Sequence, residues 1–340
     1  MLRDLGLGAN LHFVDASSDF LSALAGLTEP EEKRAAIGKT FVDVFQREAQ
    51  RLDIADHLLG QGTIYPDTIE TGGTKRSHTI KTHHNRIPLI EEMIADGRVI
   101  EPLADLYKTE VRELGAQLGI PHHALWRHPF PGPGLGVRVL CNKQLQDTAP
   151  AQLQPKCDAI VQTFGLSARV LPIRSVGVKA DLRSYEHPLL VRGEAEYARL
   201  FELASAVLKE VEGINRVIWQ ISPAAGAQGS PLAATMTQQR ILTAQQADDE
   251  VMQALRQHEL YDSIWQCPTV LVPVALDPER PSAELCVLRP VYSARAMTAR
   301  PAELPLTLLQ KLDAKLRALD GVSCVALDIT SKPPGTIEWE

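Results

Sequence analysis

The chain has 340 residues, 44% of them hydrophobic and 23% charged, which is enough for two or three globular domains with buried cores. A formal net charge of -7 argues against a nucleic-acid-binding protein, because no surplus of Lys and Arg is available to follow a phosphate backbone. There is no apolar run of membrane-spanning length, no signal-peptide pattern at the N-terminus and no Cys-x-x-Cys pair among the five cysteines. These features predict a cytoplasmic protein with reduced thiols that binds neither nucleic acid nor membrane.

Residues 1–140 alternate strand-like and helix-like segments, which predicts a parallel α/β layer. A capping-box pattern from Thr28 to Glu31 predicts the start of a helix, with Ile37, Phe41, Val44 and Phe45 on its apolar face. A second helix is expected to be capped by Asp105 and to stop at Gly119. Strands are predicted at residues 11–15, 57–64 and 98–103.

From about residue 140 onward, a unit of two strands, a helix and a strand occurs twice. Residues 170–173 resemble residues 271–274, and residues 213–222 resemble residues 321–330. This pattern predicts an internal duplication, with modules at 141–235 and 236–340. Residues 223–234 between the closing strand and the second copy are small and polar; a surface loop is expected there and no function is assigned to it.

Three prolines and three glycines interleave with cations in the segment from Arg127 to Val139. Proline fixes φ and removes a donor, whereas glycine permits close approach of a ligand to the backbone, so this segment predicts a loop of defined shape. A rigid interdomain elbow and a binding loop for an anion or a planar ring are equally supported. The two interpretations are compatible, because ligands often bind at domain junctions.

Several polar groups are candidates for chemistry. Asp67 and Glu70 follow a predicted strand, where open α/β sheets bind ligands, and they could hold Mg²⁺ or act as a base, although a solvated acidic loop is the simpler interpretation. Lys81 and His83 suit a departing phosphate group, because lysine offers a positive charge and histidine can donate a proton.

The last ten residues contain Ile337 and Trp339 beside paired prolines, which predicts that this end folds back onto the protein.

Taken together, these segments resemble the GMP synthases, the glutamine-dependent enzymes that aminate XMP. The resemblance rests on Glu31-Glu-Lys-Arg34, Gln61-Gly-Thr, Lys81-Thr-His-His-Asn85, His128-Pro-Phe-Pro-Gly-Pro-Gly-Leu135, Arg174-Ser-Val-Gly-Val178, Asp181-Leu-Arg-Ser-Tyr185 and the terminal residues 331–340. It runs over essentially the whole chain. It implies an α/β fold, with a partial parallel-sheet ATP-pyrophosphatase domain of the adenine-nucleotide α-hydrolase type at 1–140, followed by two α+β (ββαβ) dimerisation modules at 141–235 and 236–340.

The resemblance also implies an activity and a set of site residues. In the family, AMP passes from ATP to the C2 oxygen of XMP, and ammonia from a glutaminase domain or subunit then displaces AMP to give GMP. ATP with Mg²⁺ is therefore the implied co-substrate, with no resident metal, and a homodimer is the implied assembly. The implied catalytic residues are Lys81, His83, Asp67 and Glu70, the implied ATP contacts are Gln61 and Gly62, and the implied XMP contacts are Arg34, Asp181, Gln266, Lys332, Glu338, His128, Pro131, Gly132 and Gly134.

Two departures from the family pattern keep a second interpretation open. The 340 residues contain neither the family's Ser-Gly-Gly-x-Asp-Ser pyrophosphate loop nor a cysteine in a Gly-x-Cys-x-Gly turn. One hypothesis is therefore a C-terminal portion of a GMP synthase that retains XMP binding and needs the remaining parts from elsewhere. The alternative is a catalytically inactive paralogue that binds XMP or pairs with a full-length synthase.

Overall fold

A computed structural model describes residues 6–52, 57–65, 93, 95–146, 149–179, 182–223, 229–294 and 296–340. The chain forms two compact units. The first unit contains residues 1–20 and 37–127, and the second contains residues 21–36 and 128–340. None of the helices in the described ranges is both long enough and apolar enough to cross a lipid bilayer.

The first unit combines helices with a short parallel sheet. Strands β1 and β2 pair in parallel, with Leu59 opposite Val99 and Gly60 opposite Ile100. Parallel pairing places the carboxyl end of β1, and therefore Gln61, at the edge of the sheet where α/β proteins bind ligands. The elements up to residue 127 are α1 (Ser17–Leu24), α2 (Pro30–Arg51, whose first residues belong to the second unit), β1 (Leu59–Gly60), β2 (Val99–Ile100), α3 (Lys108–Gln117) and α4 (His122–Leu125).

The structure corrects three predictions for this region. Residues 11–15 are not a strand, because they form no ladder within the described part of the chain. Helix α3 begins after Tyr107 rather than Asp105, since Glu110 Oε2 accepts a hydrogen bond from the Tyr107 backbone N–H at 2.6 Å. Phe41 is 53% exposed and does not belong to a buried face of α2. The predicted start of α2 and the stop at Gly119, whose φ is +76°, are confirmed.

The second unit is built on a mixed sheet. Within the described residues this sheet has seven strands in the order β3-β5-β6-β13-β10-β8, with β4 paired to β5. The elements are α5 (Leu153–Val161), β3 (Ser167–Val170), β4 (Ser175–Lys179), β5 (Leu182–Arg192), α6 (Tyr197–Glu210), β6 (Ile214–Gln220), β7 (Ser230–Pro231), α7 (Gln238–Gln257), β8 (Thr269–Val272), β9 (Val274–Ala275), β10 (Glu284–Leu288), β11 (Val291–Tyr292), β12 (Arg300–Pro301), α8 (Leu306–Arg317) and β13 (Val322–Asp328).

The sheet contains the same arrangement twice. In each half a helix leads into an antiparallel strand pair, and the second strand of that pair lies parallel to the strand that follows the next helix. The two halves, here called the first and second repeats, meet edge to edge where β6 and β13 pair antiparallel. The mixed α/β character is thus established, whereas the domain boundaries at 140 and 235 stay predictions.

Ladder register identifies equivalent residues in the two repeats. His187 pairs with Ile214 and Glu284 pairs with Val322, and each ladder shifts register immediately after that pair. At the far end of the same strands, Arg192 Nε donates to Gln220 Oε1 at 2.9 Å in the first repeat. The same two positions in the second repeat hold Arg289 and Asp328, whose charged groups approach to 2.9 Å. The duplication therefore extends to individual side-chain pairs.

A fully buried ionic network crosses the junction between the repeats. Asp328 lies between Arg216 and Arg289, at 2.9 Å from a guanidinium nitrogen of each, and all three side chains have no exposed surface. Burial lowers the pKa of Arg216 to about 10, although the Asp328 carboxylate opposes that shift. Because Asp328 is the shared counter-ion, removing it would leave two buried positive charges facing each other.

The same network holds the C-terminal residues in place. Arg216 donates to the backbone oxygens of Val176 at 3.0 Å and Glu338 at 2.7 Å, and Arg289 donates to the Thr336 oxygen at 3.0 Å. Trp339, which has no exposed surface, donates from its indole nitrogen to Asp328 at 3.0 Å. The prediction that residues 331–340 fold back onto the protein is confirmed, and these residues contribute to the core.

Replacing Asp328 with Ala tests this network. We expect the free energy of unfolding of the chain to fall by about 3–5 kcal/mol, the usual cost of leaving buried charges without their partner. The measurement is urea unfolding followed by circular dichroism and by Trp fluorescence. The control is Asp320→Asn at an exposed position, which we expect to change stability by less than about 0.5 kcal/mol. Equal stability of the Asp328→Ala variant and the native chain would contradict the assignment.

Candidate functional site

The Glu338 carboxylate accepts hydrogen bonds from a buried arginine, Arg138, and from Gln266 in the second unit. Arg138 donates to both carboxylate oxygens of Glu338, at 3.0 and 3.1 Å, and the Gln266 amide donates to Glu338 Oε1 at 2.6 Å. Arg138 also lies 3.5 Å from Asp248, and its side chain is only 3% exposed. A bidentate arginine contact fixes the orientation of the carboxylate as well as its position. We call Arg138, Gln266 and Glu338 the Arg138 cluster.

The segment from Arg127 to Val139, here called the Pro-Gly loop, supplies an aromatic ring to this cluster. The Arg138 guanidinium lies 4.5 Å from the centroid of the Phe130 ring, in a cation–π contact, while Phe130 stays 57% exposed. Gly134 donates to the Pro131 oxygen at 2.9 Å and has a φ of +62°, which permits the turn into a short 3₁₀ helix at Gly134–Val137. Pro131, Gly132 and Gly134 thus shape the loop that presents Phe130.

His128 is held by Tyr261 at the start of the same loop. The two rings stack with centroids 4.0 Å apart, and the His128 backbone N–H donates to the Tyr261 hydroxyl at 3.1 Å. His128 Nε2 lies 2.8 Å from the Tyr261 carbonyl oxygen, which can only accept, so this nitrogen carries the hydrogen. Nδ1 is buried without a hydrogen-bond partner in the described part of the chain, and burial lowers the pKa of the ring.

The beginning of α2 also contacts the C-terminal residues. Lys33, which has no exposed surface, forms an ion pair with the Glu340 carboxylate and donates to the Val139 oxygen at 3.0 Å. Arg34 donates to the Glu340 backbone oxygen, and its Nε, which is buried without a hydrogen-bond partner in the described ranges, lies 3.8 Å from the Glu31 carboxylate. Lys332 donates to the Ala296 oxygen at 2.6 Å. Arg34 and Lys332 are therefore fixed by backbone oxygens outside the Arg138 cluster.

Gln61 and Gly62 lie in the first unit, directly after β1. The Gln61 backbone N–H donates to the Ile100 oxygen at 2.9 Å, but its side-chain Oε1 is buried with no hydrogen-bond partner in the residues described. A Cβ at Gly62 would meet nothing within 4 Å. An unpaired buried acceptor beside open space fits a ligand that brings an N–H donor.

Five of the predicted site residues lie outside the described residues. These are the four catalytic candidates and one XMP contact, namely Asp67, Glu70, Lys81, His83 and Asp181. Residues 224–228 of the segment at 223–234 also lie outside them. The roles assigned to these residues stay predictions.

The structure adds two residues that the sequence analysis did not single out. Arg138 lies near the end of the Pro-Gly loop and contacts both Glu338 and Phe130. Tyr261 stacks on His128. The sequence did point to Arg138, because this cation lies at the end of a segment rich in proline and glycine. No such pattern indicates Tyr261, since its contact with His128 spans 133 residues of sequence.

Acidification tests the environment of His128. A ring whose pKa is lowered by folding binds a proton more readily in the unfolded chain, so its contribution to stability is lost as the pH falls below its ordinary value of 6.5. We expect His128→Gln, whose amide can still donate to the Tyr261 oxygen, to lose less stability between pH 7.5 and pH 5.5 than the native chain. Urea midpoints of both proteins at the two pH values give the comparison. Identical pH dependence would contradict the assigned burial of Nδ1.

The chain is similar to curated proteins over nearly its whole length. A probable glutamine-hydrolysing GMP synthase of Leptospira interrogans is 41% identical over 347 aligned residues, covering 97% of this chain and 55% of that protein. The GMP synthases of Aquifex aeolicus and Saccharomyces cerevisiae are 43% and 42% identical, over 65% and 64% of this chain and 46% of each protein. The chain thus spans about half the length of these relatives.

The match to a protein family includes two of the three residues of the Arg138 cluster. Residues 253–339 match the family described as the GMP synthase C terminal domain. This range includes Gln266, Lys332 and Glu338, which the sequence resemblance singles out, and also the buried Asp328 and Arg289. Residues 253–339 therefore match the GMP synthase C terminal domain, and the chain as a whole is similar to part of these enzymes.

Proposed function

We propose that the chain binds XMP and acts in the ATP-dependent amination of XMP to GMP, a step of purine nucleotide biosynthesis. In this reaction the C2 oxygen of XMP attacks the α-phosphorus of ATP, pyrophosphate leaves, and ammonia then displaces AMP from C2. The observation that carries the proposal is the convergence of Arg138 and Gln266 on the Glu338 carboxylate, with Phe130 of the Pro-Gly loop packed against Arg138. These residues come from three distant segments that the family resemblance selects independently.

The Arg138 cluster has properties that suit a purine nucleotide. Phe130 offers an exposed ring on which a base can stack, and Gln266 offers an amide that can pair with the carbonyl oxygens and ring nitrogens of the base. Arg34 and Lys332 add positive charge for the phosphate group, while the backbone of the loop from His128 through Pro131, Gly132 and Gly134 holds the ring in place. Asp181 completes the proposed set of XMP contacts.

For the nucleotide co-substrate, Gln61 is the residue in the described ranges whose environment fits. Its buried, unpartnered carbonyl oxygen can accept from an amino group such as that of adenine, and Gly62 leaves room beside it. Asp67 and Glu70 are proposed to face Mg²⁺, which would neutralise charge on the ATP phosphates when it is bound. Lys81 and His83 are proposed to stabilise the departing pyrophosphate by their charge and hydrogen bonds.

The remaining proposals concern partners. Ammonia would come from a glutaminase domain or subunit, since the relatives from Aquifex aeolicus and Saccharomyces cerevisiae are glutamine-hydrolysing enzymes. A homodimer in the cytoplasm is the assembly we propose from the family resemblance.

Calorimetric titration of XMP into the chain tests the substrate site. We expect Lys332→Ala combined with Glu338→Gln to weaken XMP binding by about tenfold to a hundredfold, because two charge-assisted contacts are lost. Glu338→Gln preserves the shape of the side chain, and Arg138 retains Asp248, so the fold is expected to survive.

The matched control carries the same two residue changes on α6, as Lys209→Ala with Glu202→Gln, at exposed positions. We expect it to bind XMP like the native chain. Unchanged affinity of the Lys332 and Glu338 double variant, or the absence of XMP binding by the native chain, would refute the site.

A second experiment addresses the reaction. The chain lacks the Ser-Gly-Gly-x-Asp-Ser motif, and backbone donors preorganised around a phosphate group contribute orders of magnitude in rate. We therefore expect the purified 340 residues, supplied with ATP, Mg²⁺, XMP and ammonium, to form no GMP, with AMP and GMP measured by chromatography. Sustained GMP formation would show that the reaction does not require that loop.

A further inference from the structure

The residues that follow β13 of the second repeat lie along a strand of the first repeat. We call residues 332–339 the C-terminal strap. The Val178 backbone N–H donates to the Pro334 oxygen at 2.7 Å, and the Val176 backbone N–H donates to the Trp339 oxygen at 2.9 Å. Both donors belong to β4, so this strand is hydrogen-bonded to β5 along one edge and to the strap along the other.

Gly177 lies where β4 and the strap approach each other most closely. It forms an antiparallel bridge with Gly335, and a Cβ on Gly177 would lie 2.8 Å from the Pro334 oxygen and 3.0 Å from the Asn215 amide nitrogen. Asn215 is fully buried and exchanges two hydrogen bonds with Ser175, at 2.7 and 2.8 Å, so its side chain is held in place. A side chain on Gly177 would therefore displace the strap.

The two ends of the strap carry proposed XMP contacts. At one end, the Lys332 backbone exchanges two hydrogen bonds with Ala299, at 2.7 and 3.1 Å. At the other end, the Glu338 backbone oxygen accepts from Arg216 at 2.7 Å. The backbone between these two anchored points is held by β4, and as a result β4 determines the distance and orientation of Lys332 relative to Glu338.

The hairpin of β4 and β5 also contacts the beginning of α2. Arg183 of β5 forms an ion pair with Glu31, and the Tyr185 hydroxyl donates to the same carboxylate at 3.2 Å. Arg34, another proposed XMP contact, has its Nε 3.8 Å from that carboxylate. The hairpin thus supports two segments that are far apart in the sequence, and each of these segments carries proposed XMP contacts.

The second repeat has no strand at the place of β4. His187 and Glu284 are equivalent by ladder register, and residues 276–283, which lead to Glu284, form no strand. In the first repeat, by contrast, residues 182–186 extend β5 beyond the shared sheet and pair with β4. Because the second repeat builds its part of the sheet without such a hairpin, the sheet does not require this extension. Its partner is the strap.

We propose that β4 of the first repeat positions Lys332 and Glu338 for XMP, with Gly177 as the positioning residue. The proposal rests on the function proposed above, and it gives the first repeat a role in a site whose strap residues come from the second. Gly177 acts through the strap and does not touch the substrate. Its contribution is the absence of a side chain where the strap crosses β4.

Calorimetric titration of XMP into the full 340-residue chain tests this role. We expect Gly177→Ala to weaken XMP binding about tenfold or more, because a displaced Pro334 carbonyl changes the spacing of Lys332 and Glu338. The φ of Gly177 lies outside the left-handed region, so alanine introduces no backbone strain of its own. The effect of the variant is therefore confined to the contact with the strap and Asn215.

The control variant, Val207→Ala, separates positioning from a general loss of stability. Val207 is fully buried on α6, and α6 packs against β6 through the ring contact of Tyr197 with Trp219. Arg216, which binds the strap, lies three residues before Trp219 and therefore on the opposite face of β6. We expect Val207→Ala to lower the urea midpoint and to bind XMP within about twofold of the native chain.

A second pair of variants tests the contact from the side of the strap. The Thr336 hydroxyl lies 3.0 Å from the Val176 oxygen and accepts from Arg216 at 2.7 Å. Thr336→Val keeps the shape but removes the hydroxyl, and we expect it to weaken XMP binding about tenfold. Thr336→Ser keeps the hydroxyl, and we expect it to bind XMP within about threefold of the native chain.

Circular dichroism and thermal unfolding show which variants are folded, and the Thr336 pair decides the matter if Gly177→Ala does not fold. Native XMP affinity of a folded Gly177→Ala variant, an equal loss in Val207→Ala, or equal weakening by both Thr336 variants would overturn the positioning role and leave the proposed function standing. Absence of XMP binding by the native chain is a separate outcome, which would refute the proposed function and this inference with it.

Discussion

The buried network of Arg216, Asp328 and Arg289 is the constraint on which the second unit depends. Arg216 belongs to the first repeat, whereas Asp328 and Arg289 belong to the second, so the ion pairs connect the repeats across the β6–β13 junction. Burying three charges is costly, and the arrangement is stable only because each group has several partners. Those partners include the backbone oxygens of Thr336 and Glu338, and as a result the network also determines the path of the C-terminal residues.

That path explains the geometry of the candidate site. Trp339 is anchored in the core by Asp328, and one residue earlier Glu338 leaves the core and meets Arg138. The Pro-Gly loop contributes both Arg138 and Phe130, so the loop and the C-terminal residues orient each other. The ionic network therefore fixes the C-terminal residues, and these residues in turn position the proposed XMP site. Most residues of that site take no part in the network itself.

Divergence between the two repeats accounts for much of the remaining chemistry. Equivalent positions hold Arg192 with Gln220 in one repeat and Arg289 with Asp328 in the other, so a neutral acceptor in the first corresponds to a charge in the second. Similarly, Glu284 of the second repeat forms an ion pair with Arg240, whereas its equivalent in the first repeat is His187. Equivalent positions of the two repeats thus carry different interactions.

The sequence by itself determined features that depend on local chemistry. The proline and capping pattern predicted where α2 begins, the repeated segments predicted two similar units, and the apolar residues beside prolines predicted a folded C-terminal end. Local patterns failed for residues 11–15, whose apolar character needed a neighbouring strand, and for Asp105, where Tyr107 and Glu110 formed the cap instead. Only the tertiary structure decided that Arg138 joins Glu338 to Phe130, that Tyr261 holds His128, and that Asp328 serves two arginines. These contacts join residues far apart in the chain, and they are ion pairs, hydrogen bonds and ring contacts that form only after folding, which no local pattern records.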